Sequence, residues 1–352
     1  MRHVKSLLIG CAIALWALGR ASSAGAAPFE DGVAAYENGD YAGAMRLWRP
    51  PAEQGDAEAQ FRVGVLYDFG QGVQQNFAEA VAWYRRAAEQ GHAEAQFNLG
   101  VMHESGDGVE QSFADASLWY RRAAEQGYAK AQFNLAANYF NGRGVPQDDA
   151  EAARWLRAAA ESGDALAQHS LGGLYEAGRG VAQSDAEAFE WYRRAAEQGH
   201  AGAQYSLGGL YDRGAGVSAD HFEGARWVRM AAEQGHVLAQ FALGTMYDID
   251  DHVPSNEAEA AAQYERATEA VQWYRRAAQQ GYALAQYNLG MLYQDGLGVP
   301  RDDEIALMWF ELAAAQGDTA AIDQRAEIVK RMPSEQIAAA QRRAAAFRPR
   351  RE

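Results

Sequence analysis

A pentapeptide, Ala-Ala-Glu-Gln-Gly or a close variant, recurs along the 352-residue chain and constrains its fold more than any other feature. The glycines that end it are separated by 36 residues five times, then by 46, then by 36: Gly55, Gly91, Gly127, Gly163, Gly199, Gly235, Gly281 and Gly317. A fixed period of this length indicates a repeat architecture. The chain is therefore predicted to use one short structural module many times.

Each repeat is predicted to be a helical hairpin. Counted from its first glycine as position 0, every repeat from Gly55 to Gly281 has Gln at +5 and Leu or Val at +8. Apolar residues recur three or four positions apart over +2 to +13 and again over +22 to +35, which predicts two helices, A and B. Between them lies Gly-x-Gly-Val, as at Gly178 to Val181, whose glycines permit the positive φ angles that end a helix.

Position +28 is tryptophan in all seven repeats, if ten additional residues in the repeat from Gly235 are left out of the count here and below. We interpret these side chains as structural residues that fill the joints between hairpins: Trp83, Trp119, Trp155, Trp191, Trp227, Trp273 and Trp309. One hairpin cannot cover its own apolar faces, so neighbouring hairpins must stack. The predicted fold class is all-α, a right-handed α/α superhelical solenoid of helix-turn-helix hairpins.

The repeats divide the chain as follows. Residues 27–54 are predicted to form an N-terminal capping hairpin, residues 55–330 the solenoid, and residues 331–352 a C-terminal helix with a basic tail. The repeat that starts at Gly235 has ten additional residues, and its segment 259–267 aligns with 269–277. This tandem duplication within helix B predicts a longer helix or a kinked protrusion.

The first 26 residues have the pattern of a cleavable secretory signal. A short basic start precedes an apolar run from Leu7 to Gly19, and Ala24-Gly25-Ala26 supplies small residues for cleavage after Ala26. Thirteen apolar residues are too few to span a bilayer as a helix. Cys11, the single cysteine, follows a sequence that resembles a lipoprotein box, but it lies inside the apolar run, so lipidation is the less favoured alternative. The predicted location is the periplasm or the exterior, with no cysteine left in the mature chain.

Charge excludes one class of partner. The chain has 47 acidic and 32 basic residues, and without the three basic residues of the signal the net charge is −18. Such a surface repels phosphate backbones, which argues against nucleic acid. Residues 324–352 are the exception, with eight basic and three acidic side chains. They are interpreted as a solvated closing helix with a frayed tail, or as a docking tail for an acidic partner or membrane surface.

Catalytic and metal-binding signals are weak. Ser-x-x-Lys, Gly-x-Ser-x-Gly and His-Glu-x-x-His are all absent from the sequence. Asp248, Asp250 and Asp251 lie beside His252, but they lack EF-hand spacing, so a solvated acidic loop is favoured over a cation site. We predict neither an enzyme nor a cofactor or metal site.

A partner should contact the positions at which the repeats differ. On a helix, positions +3, +7, +10 and +14 fall on one narrow stripe, opposite the recurring +4, +5, +8 and +12. In stacked hairpins this stripe should line a continuous groove, the concave one. The predicted contact residues at +7 are mainly short and polar, suited to the backbone of an extended protein segment: Arg62, Asn98, Asn134, Ser170, Ser206 and Asn288. Solvated fillers are the alternative interpretation.

The repeat resembles the Sel-one-like repeat family, a relative of the tetratricopeptide repeat. The resemblance rests on Ala-x-Ala-Gln-x-x-Leu-Gly-x-x-Tyr, then Gly-x-Gly-Val, then Trp-Tyr-Arg-Arg-Ala-Ala-Glu-Gln-Gly, and covers about residues 29–330. It implies a scaffold or adaptor protein, often exported in bacteria, with another envelope protein as partner. A glycan-binding component of cell-wall or exopolysaccharide machinery is one alternative, and a wall-active or β-lactam-processing enzyme is a weaker one. The oligomeric state is left open.

Overall fold

A computed structural model describes residues 26–248 and 257–350, and every regular element in these ranges is a helix. The described residues divide into two compact units, which we call the N-terminal body (up to residue 147) and the C-terminal body (from residue 148). In each body, helices pack mainly against the helices next to them in the chain. The predicted all-α fold class, a solenoid of helix-turn-helix hairpins, is confirmed.

The described helices of the N-terminal body are α1 (Ala26–Glu37), α2 (Tyr41–Glu53), α3 (Ala57–Phe69), α4 (Phe77–Glu89), α5 (Ala93–Ser105), α6 (Phe113–Glu125) and α7 (Ala129–Asn141). Those of the C-terminal body are α8 (Asp149–Glu161), α9 (Ala165–Ala177), α10 (Asp185–Glu197), α11 (Ala201–Arg213), α12 (His221–Glu233), α13 (Val237–Asp248), α14 (Glu257–Gln279), α15 (Ala283–Asp295), α16 (Asp303–Ala314), α17 (Thr319–Ile328) and α18 (Ser334–Ala346). From α3 to α16, odd numbers are helix A of a repeat and even numbers are helix B.

The turn inside a repeat has the geometry that its glycines allow. Gly178 ends α9 in the left-handed region, with φ of 64°, where glycine has no steric penalty. Gly180 also has positive φ, and a Cβ on it would overlap the backbone of Asp149 at the start of α8. The second glycine is therefore required by close packing of the turn against the preceding helix B.

The recurring glutamine at +5 joins consecutive hairpins through hydrogen bonds. In the N-terminal body, the buried Gln96 donates from Nε2 to the carbonyl of Ala88 near the end of α4, at 3.0 Å. Its Oε1 accepts from Gln126 Nε2 at 2.7 Å. The donation to an alanine carbonyl recurs in all seven repeats. Each of these carbonyls also accepts the N–H of the glycine at position 0, as from Gly91 to Ala88 at 3.0 Å. The glutamine therefore fills the second acceptor site of a carbonyl at the end of helix B.

Alanines and tryptophans form the apolar joints. The alanine at +4 is completely buried in every repeat from α3 to α15, which lets the helices approach closely. Trp83, Trp155, Trp191, Trp273 and Trp309 are buried, and Trp119 and Trp227 are partly buried. Trp273 packs with Val228 of α12 and Leu243 of α13, so its indole contacts the preceding hairpin as well as its own.

The ten-residue insertion lengthens helix B of its repeat. Helix α14 has 23 residues where the other B helices have 12 or 13. Its early residues Glu259, Tyr264 and Glu265 are exposed, and burial begins at Ala267. The additional turns therefore extend beyond the packed joint and leave the joint itself unchanged.

Acidic residues of α16 hold the C-terminal helices. Arg331 binds Asp303 at 3.0 Å and Arg343 binds Glu304 at 3.1 Å. Helix α18 packs on α16, and Phe347, the residue after it, is partly buried against the core. Several basic residues that we predicted to be solvated or to await an acidic partner are therefore paired within the chain.

Two predictions lie outside the described residues. They are the secretory signal, apart from Ala26, and the acidic loop with Asp250, Asp251 and His252. Within residues 26–248 and 257–350, no helix is long and apolar enough to cross a membrane.

Replacing Gln96 by Ala should lower the free energy of unfolding by about 2 kcal/mol, because two hydrogen bonds are lost, one to the Ala88 carbonyl and one from the Gln126 amide. Gln132 is the matched control, since its Oε1 is buried with no hydrogen-bond partner. Gln132→Ala should cost about 1 kcal/mol less by urea denaturation. An equal or larger cost at Gln132 would contradict the role assigned to the second hydrogen bond.

Candidate protein-binding face

The predicted contact residues at +7 lie on the accessible side of helix A. In the N-terminal body Arg62, Asn98 and Asn134 are partly exposed. In the C-terminal body the same holds for Ser170, Ser206 and Asn288. The glutamines at +5 and the residues at +8 on the same helices are buried. We call the accessible positions +3, +6, +7, +10 and +14 the helix-A face, and we treat it separately in each body.

Four of these side chains have a partner that we did not predict. Asn98 hydrogen-bonds to the hydroxyl of Tyr84, which lies at +29 on helix B of the preceding hairpin. The same hydroxyl donates to Asp68 Oδ2 at 3.2 Å. This tyrosine bridge recurs as Tyr120 with Glu104 (2.6 Å) and Asn134, Tyr192 with Glu176 (2.8 Å) and Ser206, and Tyr274 with Asp248 (3.0 Å) and Asn288.

Repeats without the bridging tyrosine also lack one of its partners. Where position +29 is Val228, the residue at +7 of the next repeat is Ala242, although the acid at +13, Asp212, is kept. Where position +29 is Leu156 or Phe310, no acid occupies +13. The tyrosine is therefore present only in the repeats that have both a carboxylate at +13 and a polar residue at +7 of the next repeat.

The bridges fix the protonation and orientation of the groups on the face. Burial, and then the neighbouring carboxylate, raise the pKa of the bridging tyrosines well above their usual range. The hydroxyls therefore stay protonated and donate to the carboxylates at any physiological pH. An asparagine amide has two N–H groups and a carbonyl. One bond to a tyrosine holds Asn98 or Asn134 in place and leaves it the capacity to bind a peptide backbone.

The two remaining contact residues are held differently. Arg62 Nε donates to Glu58 Oε1 at 2.7 Å, and its guanidinium lies 5.9 Å from the ring of Trp48. Burial raises the pKa of Glu58, but hydrogen bonds from His92 and Arg62 and their charges outweigh burial and hold the pKa at about 2. Ser170 Oγ donates to the carbonyl of Leu166 at 2.8 Å, within its own helix.

Rings at +6 and +1 pack against each other between repeats. In the C-terminal body, His169 lies 4.8 Å from His200 and Tyr205 lies 5.1 Å from His236, measured between ring centroids. Phe61 and His92 make the same contact in the N-terminal body at 4.8 Å. These rings therefore serve inter-repeat packing at one edge of the helix-A face.

Histidines at +1 also cap helix A. The Nδ1 atoms of His92, His200 and His236 accept backbone N–H groups at 3.2, 3.1 and 3.3 Å. A protonated imidazole has no acceptor, so this contact needs the neutral ring. Burial lowers the pKa of both His200 and His236. Burial, followed by the charges of those two histidines, lowers the pKa of His169 to about 4.

Exposed leucines distinguish the C-terminal body. Leu166, Leu238 and Leu284 all occupy +3, and their exposed fractions are 48%, 38% and 45%. This position is one helical turn before +7, so each leucine lies beside the polar row. In the N-terminal body the same position carries Glu58, Glu94 and Lys130, and in the repeat from Gly199 it carries Gly202. The fold therefore accepts charged and small residues where these leucines stand.

The described part of the chain contains no group of three or more His, Cys, Asp or Glu side chains that could hold a metal ion. The glycan alternative needs aromatic faces open to solvent, and the seven tryptophans at +28 are buried or partly buried. Phe222 on helix α12 is the large apolar side chain most exposed in the described ranges, at 93%.

Comparison with protein-family models decides the family. The model described as Sel1 repeat matches residues 57–92, 93–128, 129–164, 165–200, 201–236, 237–269, 265–282 and 283–318. The chain belongs to the Sel1 repeat family. Sel1 repeat proteins are in general scaffolds for protein interactions, and their fold is typically non-catalytic. The two overlapping matches coincide with the insertion in α14, where one repeat is interrupted by the duplicated segment.

Solved structures of Sel1 repeat proteins are similar over most of the chain. A Sel1 repeat protein from Oxalobacter formigenes is 34% identical, with a TM-score of 0.68 and 86% of each chain covered. The protein c5321, a protective antigen present in uropathogenic Escherichia coli strains that displays an SLR fold, is 28% identical. Its TM-score is 0.56, and 92% of this chain and 91% of that chain are covered. A search of the curated proteins gave no significant match.

Acidification should destabilise the C-terminal body between about pH 6.5 and pH 4. His169, His200 and His236 have folded-state pKa values below the usual 6.5, so the unfolded chain binds more protons in this window and gains stability as pH falls. Above the window their contribution to stability is fully present. Melting temperatures of the wild type should fall on going from pH 7 to pH 4.5.

The variant His200→Asn/His236→Asn provides the control, because asparagine is a good N-cap at every pH in this range. Its melting temperature should fall less over the same interval. A fall equal to that of the wild type would show that other groups cause the pH dependence. Glu58 does not contribute in this interval. Its pKa is about 2 in the folded chain, so the stability that its ionised form provides is lost only below pH 4.5.

Proposed function

We propose that this Sel1 repeat protein is an exported scaffold that binds an extended segment of another protein along its helix-A face. The observation that carries the proposal is the row of leucines at +3 in the C-terminal body, which are 38–48% exposed at a position where the fold accepts Glu, Lys or Gly. Apolar side chains that recur at one position along the same face fit a partner that covers them together.

The polar row at +7 would supply the backbone contacts. In the C-terminal body, Ser206 and Asn288 are positioned by the tyrosine bridges to Tyr192 and Tyr274. Their places are therefore set before a partner arrives, which reduces the entropy lost on binding. An extended segment would set its apolar side chains on the leucines and its amides on the adjacent serine and asparagine.

Charge favours a neutral or basic segment. The carboxylates of Glu176 and Asp248 lie at +13 on the same helices, and Asp295 follows at +14 on α15. Arg213 binds Glu176 at 2.8 Å and so offsets part of this charge. Acidic segments would be repelled by the remainder.

The tyrosine bridges determine which variants can test binding. Replacing Asn98, Asn134 and Asn288 together would break three tyrosine bridges, so a loss of binding could reflect a disturbed fold. The leucines at +3 avoid this difficulty. Leu118 on α6 is the matched control, because it is 46% exposed on helix B.

In a cross-linked pull-down from intact cells, Leu166→Gln/Leu238→Gln/Leu284→Gln should reduce recovery of the partner about tenfold or more, by loss of apolar contacts at the centre of the interface. Leu118→Gln should leave recovery unchanged. Both variants should keep the helical circular dichroism of the wild type. A partner recovered equally with the triple variant would place the binding surface elsewhere.

Export is supported by the sequence of residues 1–26, with its basic start, its apolar run and its small residues before the cleavage point. On this proposal the mature chain works in the periplasm or outside the cell, and its partner is an envelope protein. Amino-terminal sequencing of the protein from its native host should give Ala27 as the first residue. Recovery of a chain that begins at Met1 would overturn the proposal of a cleaved signal.

A further inference from the structure

On the helix-B side, arginines cover the tryptophans at +28. Four of them come from position +31, three residues later on the same helix, with guanidinium-to-ring distances of 4.4–4.6 Å. Where +31 is Ala158 or Met230, the arginine at +27 replaces it, at 4.4 Å for Arg154 and 5.3 Å for Arg226. A cation on an indole face is favourable. Because the arginine comes from either +31 or +27, each of these six rings is covered.

The last tryptophan has a different cover. Its neighbours at +27 and +31 are Met308 and Leu312. Phe347, from the segment after α18, lies on Trp309 instead, with ring centroids 5.8 Å apart and planes at 73°. This edge-to-face arrangement is a favourable aromatic contact. Trp309 is 7% exposed, as buried as the tryptophans beneath arginines.

Two further contacts hold this segment. The backbone N–H of Arg350 donates to the carbonyl of Gln279 at the end of α14, at 2.9 Å. Pro349 lies over Gly281, close enough that a Cβ on the glycine would be 3.5 Å from Pro349 Cβ. Phe347 has extended backbone angles, φ −60° and ψ 137°. Residues 347–350 therefore lie on the C-terminal body as a short extended peptide does on a receptor. We call Trp309, Gly281 and the Gln279 carbonyl the Trp309 slot.

The slot holds its peptide by few contacts. Helix α18 is fixed separately by the ion pair of Arg343 with Glu304. Beyond Ala346 the side chains of Arg348, Pro349 and Arg350 are exposed. Residues 347–350 can therefore leave the slot without loss of α18, and their occupancy depends on the high effective concentration that a short tether provides.

We propose that the Trp309 slot is a second peptide-binding site, distinct from the helix-A face, which the chain closes with its own C-terminal residues. The partner it fits is an extended segment with an aromatic residue two positions before a proline and basic residues around it, which is the chemistry of the tail itself. Such a segment from another protein binds only when the tail has left. The tail thus acts as a built-in competitor.

The test uses a fluorescein-labelled peptide with the sequence of residues 344–352 and the full chain with Cys11→Ser. The peptide should bind the Phe347→Ala variant about tenfold or more tightly than it binds the protein with the unmodified tail, because the competitor is lost. A peptide with Ala in place of its phenylalanine should not bind either protein. Equal affinity for both proteins, or binding that ignores the peptide's phenylalanine, would overturn the proposal.

A disulfide lock provides an independent arm. In Gly281→Cys/Pro349→Cys the two Cβ atoms fall at 3.5 Å, within the range for a disulfide. The oxidised variant should be a monomer on non-reducing gels and should lose peptide binding. Reductant should restore peptide binding to the level of the protein without the two cysteines. Gly235→Cys/Pro349→Cys, one repeat earlier, should stay reduced. Disulfide-linked dimers would instead assign the slot to the tail of a second copy and overturn closure in cis.

Discussion

The carbonyls at the end of each helix B are the constraint on which the repeat depends. They lie where the next hairpin packs, and each accepts two donors, the N–H of the glycine at position 0 and the side-chain amide of the glutamine at +5. The glutamine and its acceptor are eight residues apart, which fixes the length of the chain between them. The insertion respects this limit, because it lies in the first half of α14 and leaves the segment from the alanine carbonyl to the glutamine intact.

The hairpins could be predicted from sequence because their determinants are local. Each signal depends on residues close by in the sequence. These signals are the glycine pair of the turn, the spacing of alanines and leucines, and the tryptophan at +28. The accessible side of helix A also followed from the helical angle of +3 and +7. Periodicity alone, however, says nothing about which residue of one hairpin meets which residue of the next.

The tyrosine bridges show that limit most clearly. Tyr192 and Glu176 are 16 residues apart, and Ser206 belongs to another repeat, so only the packed helices bring the three side chains together. A signal was nevertheless present, because tyrosine at +29 occurs in four of seven repeats, the four that have both an acid at +13 and a polar residue at +7 of the next repeat. The contact of Phe347 with Trp309 left no such signal, since it occurs once and joins a unique tail to the last repeat.

Packing between successive helices has a consequence for how such a chain changes over generations. Because the contacts of each body join mainly helices that are neighbours in the chain, a segment of DNA encoding one hairpin can be gained or lost by recombination without re-optimising distant parts of the core. The duplicated stretch in α14 has the form of a smaller event of this kind. Its exposed turns lengthen one helix, while the buried residues of that helix pack as they do in the other repeats.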